Sequence, residues 1–111
     1  MPLPLIYQSM TLKTTIAGVM SGTSLDGLDI AICTYEKDER RWSFEVLAAI
    51  TLPYSDEWRN RLSSAFTMNG NDLMRLHADF GTYIGQSVKK CCQEHHLKPD
   101  YISSHGHTVF H

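Results

Sequence analysis

The chain has 111 residues, with 10 lysines and arginines against 12 aspartates and glutamates, a formal charge of −2. Hydrophobic residues make up 42% and charged residues 20%. That composition excludes a disordered polyelectrolyte and, on bulk charge, a strongly basic nucleic-acid binder. The length sets one domain with a single small core as the expectation. The cysteines Cys33, Cys91 and Cys92 are odd in number and two are adjacent. Free thiols in a reducing compartment are the simpler reading, because neighbouring cysteines strain a direct disulfide. No basic stretch opens the chain, and no apolar run approaches the roughly 18 residues a membrane helix needs. A cytoplasmic protein with no membrane partner is expected.

Residues 1–12, with Pro2 and Pro4, read as an irregular arm. From Lys13 the run Thr14, Thr15, Ile16, Ala17, Gly18, Val19, Met20 is short, apolar and partly β-branched, which predicts a strand. Ser21 to Gly27 is a turn cluster of Gly, Ser, Thr and Asp. Residues 28–35 alternate, with Leu28, Ile30 and Ile32 on one side and Asp29, Ala31 and Cys33 on the other, as in a second strand. A charged turn at 37–41 leads to a third strand. There Trp42, Phe44, Val46, Ala48, Ile50 and Leu52 are expected on one face, up to Pro53. Short links make these strands an antiparallel meander.

The period then changes. Trp58, Leu62, Ala65 and Phe66 recur at helical spacing, so a helix is expected over 56–68, capped by Ser55. A break at 69–71 precedes a longer helix over 72–95, striped by Leu73, Leu76, Phe80, Ile84, Val88 and Cys91. Asp72 near its start and Lys89 and Lys90 near its end suit the helix dipole. After a turn at 98–100, residues 101–104 predict a strand that can add in parallel beside the meander. The fold class is therefore α/β, a mixed sheet with helices packed on it.

Two segments can carry chemistry. In Ser21-Gly22-Thr23-Ser24-Leu25-Asp26-Gly27, the two glycines permit close backbone approach and positive φ, while amides and hydroxyls can converge on an anion. An unliganded hairpin turn is the competing reading. A Walker-type loop is excluded because no Lys-Ser/Thr pair follows the glycine and a strand follows the loop. A hydrolase elbow is disfavoured because the second glycine is missing at the required spacing. The other segment is Ser103-Ser104-His105-Gly106-His107-Thr108, with His111 beyond it. Three imidazoles suggest zinc, but no cysteine or carboxylate stands nearby in sequence to complete a shell. A ligand-contacting loop or a plain turn accounts for the segment better. His77, His95 and His96 fall on or near helices, where solvated or packed histidines are the default.

Together the segments carry a family resemblance. Gly18-Val19-Met20-Ser21-Gly22-Thr23-Ser24-Leu25-Asp26-Gly27-Leu28-Asp29 closely resembles the N-terminal signature of the anhydro-N-acetylmuramic acid kinases. Ser103-Ser104-His105-Gly106-His107-Thr108-Val109-Phe110-His111 is similar to that family's second signature, with His107 where many members have glutamine. The resemblance implies the actin, hexokinase and heat-shock-ATPase superfamily, with its ribonuclease H-like lobes and a nucleotide cleft between them. Residues 13–111 would then form part of the N-terminal lobe.

The implied reaction uses ATP and magnesium on 1,6-anhydro-N-acetylmuramic acid. Water opens the anhydro bridge and the freed 6-oxygen is phosphorylated, giving N-acetylmuramic acid 6-phosphate during cell-wall recycling. On this resemblance Gly22, Thr23, Ser24, Leu25, Asp26, Gly27, Leu28 and Asp29 line the ATP phosphates. Asp26 or Asp29 orients a magnesium-bound water, and His105 and Thr108 contact the sugar. Many superfamily members carry an aspartate just before the glycine-threonine pair, where Met20 and Ser21 stand here. No residue of this chain matches the family's water-activating base. A homo-oligomer is expected, and a lone 111-residue chain is expected to be inactive. A non-catalytic domain that keeps the loop, and a small zinc module using the C-terminal histidines, are the alternatives.

Overall fold

A computed structural model describes residues 12–110. The elements are β1 (Leu12–Ser21), β2 (Gly27–Asp38), β3 (Arg41–Pro53), α1 (Asp56–Ser63), a 3-10 turn (Ala65–Thr67), α2 (Gly70–His95) and β4 (Tyr101–His107). They build a four-stranded sheet in the order β3-β2-β1-β4. β1, β2 and β3 form an antiparallel meander, and β4 lies parallel to β1. This is the expected mixed α/β architecture, and its strand order is compatible with the N-terminal lobe of an actin-like ATPase. All but the last residue of the expected 1–12 arm lies outside the described residues, and Leu12 already belongs to β1.

Strand alternation creates the core. Ala17 and Val19 from β1 join Leu28, Ile30 and Ile32 from β2 on one sheet face, all at most 4% exposed. Leu62, Ala65, Leu76, Phe80, Val88 and Cys91 from the helical segments belong to the same buried cluster. Tyr54, Trp58, Phe80 and Tyr83 add an aromatic group with ring centroids 4.9–6.4 Å apart. Among the described residues no helix packs on the opposite sheet face, which is largely open.

β3 departs from the expected alternation. Cys33 pairs with Val46 but Ile32 pairs with Ala48, so Leu47 is an extra residue in a bulge. The bulge flips the strand between its halves. Ala48, Ile50 and Leu52 face the helices, whereas Trp42, Phe44 and Val46 lie on the open side at 65%, 71% and 52% exposure. The six residues therefore do not share one face.

Several element ends also move. The charged turn shrinks to Glu39 and Arg40, with Glu39 at φ 52°. α1 stops at Ser63 and not near Met68, because the Ser63 and Ser64 hydroxyls both donate to the Asn60 carbonyl and compete with helix propagation. The expected break at 69–71 is the cap and first turn of α2, where the Asn69 side chain accepts from the Asp72 amide at 2.8 Å. α2 ends at His96 in the left-handed region, where the Leu97 amide donates back to the Cys92 carbonyl. Asp100 then fixes β4 against β1. Its carboxylate accepts from the Thr15 amide at 2.9 Å, and its amide donates to the Thr15 carbonyl at 2.7 Å.

Candidate functional site

β1 and β4 run parallel, so both deliver their carboxyl ends to one end of the sheet. The 22–26 loop leaves β1 there, and residues 108–110 leave β4 there. Ligands of open α/β sheets commonly bind beyond strand carboxyl ends.

The loop is held from behind. The Leu25 amide donates to the Gly22 carbonyl at 3.2 Å, and the Tyr54 amide donates to the Asp26 carbonyl at 3.2 Å. Arg59 of α1 donates through Nε to the Leu25 carbonyl at 3.4 Å and through a terminal nitrogen to the Tyr54 carbonyl at 3.1 Å. Leu25 packs against the core. Thr23, Ser24 and Asp26 are exposed and Gly22 is half-buried.

The glycines differ in what they demand. A side chain at Gly27 would run into the Leu52 carbonyl of β3, whereas at Gly22 it would meet only the Ser24 hydroxyl at 3.6 Å. The loop's positive φ falls on Leu25, at 59°, and not on a glycine. Gly27 is thus held against the β3 backbone, and neither glycine carries the loop's positive φ.

The remaining expected residues divide between two hollows. An open hollow of about 780 Å³ on the uncovered face is lined by Met20, Asp29, Thr51 and His105 around the small residues Gly18 and Ala31. Asp29 is exposed there and accepts a 2.5 Å hydrogen bond from the Thr51 hydroxyl. Thr108 instead lines a hollow of about 500 Å³ with Thr23, Leu25, Phe66 and His107. Thus Asp29 meets His105, and Thr23 meets Thr108, but His105 and Thr108 do not share a hollow. Leu28 is fully buried in the core and Gly27 is buried.

The separation has a backbone cause. Between Val19 and Ser21 the β1–β4 register slips by one residue, and Gly106 sits at φ 74°. The segment expected as a loop after Ser103 is therefore strand through His107, interrupted by a bulge that turns His107 toward Ser21. The Ser21 hydroxyl lies 2.9 Å from His107 Nδ1 and accepts from the Tyr54 hydroxyl at 2.6 Å. Ser21, read from sequence as a loop donor, is 4% exposed and already engaged. Burial pushes the Tyr54 phenol above its ordinary range. The Ser21 hydrogen bond opposes that shift, and Tyr83 and Asp29 reinforce it.

Tyr54, Thr51, Arg59 and the Ser21–His107 contact were not singled out from sequence. The lone signal was the glycine before His107, which permits the bulge. Among the described residues no group of three or more His, Cys, Asp or Glu side chains stands together to hold a metal ion. His111 lies outside them. No helix among the described residues is long and apolar enough to cross a membrane.

Comparison with known proteins adds identity to this geometry. A sequence model of the family described as anhydro-N-acetylmuramic acid kinase matches residues 14–111. An anhydro-N-acetylmuramic acid kinase of Pseudoalteromonas translucida is 37% identical over 102 residues, covering 86% of this chain and 25% of that protein. One from Pseudoalteromonas atlantica is 36% identical, covering 96% and 28%. One from Bacillus cereus is 34% identical, covering 86% and 27%. The chain thus spans about a quarter of the length of these relatives. The match runs through both signature segments and the sheet that joins them, and the chain belongs to the anhydro-N-acetylmuramic acid kinase family.

Proposed function

We propose that this chain forms the phosphate-facing wall, and part of the sugar-facing wall, of an ATP-dependent kinase. Its substrate is 1,6-anhydro-N-acetylmuramic acid, which is opened by water and phosphorylated to N-acetylmuramic acid 6-phosphate in cytoplasmic cell-wall recycling. The observation that carries this reading is the delivery of two signature segments to one end of the sheet by parallel strands.

Phosphoryl transfer depends chiefly on positioning and charge stabilisation. The exposed Thr23 and Ser24 hydroxyls supply donors for phosphate oxygens. Asp29 fits magnesium, which takes hard oxygen ligands and is commonly held by one or two carboxylates plus substrate phosphates. Thr51 fixes the rotamer of that carboxylate. When bound, magnesium offsets negative charge on the transferred group. His105 and Thr108 contact the sugar from the two hollows. None of these residues is assigned as the water-activating base.

The test is formation of sugar 6-phosphate, followed by mass spectrometry, from the anhydro-sugar, ATP and magnesium. The full-length kinase carrying this segment is expected to turn over, and the 111-residue chain alone is not. A full-length protein that binds ATP or the sugar without making product would instead be a non-catalytic binding domain. The open face, with Trp42 and Phe44 exposed, further favours self-association of the isolated chain. Sedimentation of a compact monomer at all concentrations would contradict that.

A further inference from the structure

Three strand ends meet at one buried hydroxyl. Ser21 closes β1, His107 closes β4 and Tyr54 follows β3. Ser21 and Tyr54 are 4% and 3% exposed, and Tyr54 is wedged among Phe80 and Tyr83. A serine hydroxyl has one hydrogen to give. Since Tyr54 donates to Ser21 Oγ, the Ser21 hydrogen is free to point at His107 Nδ1, 2.9 Å away. That direction requires an unprotonated Nδ1, with the ring proton on Nε2. The Tyr54 phenol, protonated at neutral pH, donates to Ser21 Oγ.

The two ends of the chain adjoin different ligand segments. Gly22, the first residue of the phosphate loop, follows Ser21 directly. His107 stands between His105 and Thr108, the two expected sugar contacts. The hydrogen bond between Ser21 and His107 is a side-chain tie between these segments, across a bulge where the regular β1–β4 ladder is interrupted.

We propose, on the kinase reading above, that Tyr54, Ser21 and His107 are positioning residues. They form a directional relay that sets the sugar-contacting segment relative to the phosphate loop. Asparagine preserves the relay, because its carbonyl oxygen lies two bonds from Cβ, as Nδ1 does, and accepts from Ser21. Alanine at 107 leaves the Ser21 hydrogen without its acceptor.

The experiment uses the full-length kinase carrying this segment, with KM for the anhydro-sugar and for ATP measured separately. His107→Ala should raise the sugar KM on the order of tenfold, the scale of one lost buried hydrogen bond. His107→Asn should restore it to within about twofold of wild type. Ser21→Ala, on the phosphate-loop strand, should raise the sugar KM as well, and should not add to His107→Ala in the double variant. In the wild-type protein, nitrogen NMR should find His107 with a bare Nδ1 and a protonated Nε2.

Thermal melts separate misfolding from misplacement. Variants that lose stability but keep both KM values would make Ser21 and His107 merely structural and overturn the proposal. Additive effects of Ser21→Ala and His107→Ala, or a protonated Nδ1, would also overturn it. A wild-type enzyme with no activity on the anhydro-sugar would instead refute the kinase reading, while the NMR result would still report on the relay.

Discussion

The two faces of the sheet are made by the same strands, residue by residue, yet they serve different ends. On the covered face Ile30 and Ile32 are at most 1% exposed, packed in the cluster shared with α1 and α2. On the open face their neighbours in sequence are Asp29 and Ala31, with small residues leaving a hollow beside a carboxylate. Apolar packing is concentrated on one side, and an exposed carboxylate stands on the other. The bulge at Leu47 lets β3 serve both, with its second half in the core and its first half exposed.

The strongest way to break this contrast is to swap sides. Ile32→Ala should cost about 2–5 kcal/mol in denaturant unfolding, because it opens a cavity against the helices. Val46→Thr, one bulge away on the open face, should change stability by no more than about 0.5 kcal/mol. Similar losses at both positions would mean that the open face is as well packed as the covered one.

A second contrast lies within the signature loop. Gly27→Ala should destabilise by about 1–3 kcal/mol, since the new methyl meets the β3 backbone and strands cannot separate without losing ladder bonds. Gly22→Ala should be close to neutral, with space for the methyl beside Ser24. Circular-dichroism melts of the two variants give the comparison directly.

A smaller effect should appear at high pH. The Tyr54 phenol is raised in the folded state by burial. Its contribution is therefore full below the ordinary tyrosine value of about 10. As pH rises past that value the unfolded chain releases the proton first, so stability falls until the folded phenol also ionises. Tyr54→Phe should flatten this alkaline limb while leaving the acid limb unchanged, as measured by denaturant midpoints across pH.

Much of this was legible beforehand because the signals are local. The alternation of Leu28, Ile30 and Ile32 marks β2 without ambiguity, and its register with β1 has no irregularity. The Gly/Ser/Thr/Asp cluster at 21–27 marked the loop. What escaped depends on single extra residues. Leu47, Ala48 and Ala49 are all apolar, so no residue type announces which one is inserted. Likewise the one-residue slip at Gly106 decides that His105 opens on one hollow while Thr108 lines another. Tyr54 carries no periodic signal, because it lies between a strand and a helix and belongs to neither pattern. Its role comes from tertiary contact alone, as does that of Arg59 behind the loop.

The central proposal is that Asp29, on the open face, is the carboxylate that serves magnesium. Asp29→Asn in the full-length kinase tests it most directly, with initial rates of sugar 6-phosphate formation measured across a magnesium titration. Asp29 is exposed, so the fold should melt unchanged. The account predicts that half-saturating magnesium rises about 10–100-fold and that kcat/KM falls with it. An Asp29→Asn enzyme with wild-type magnesium dependence and wild-type kcat/KM would contradict the account.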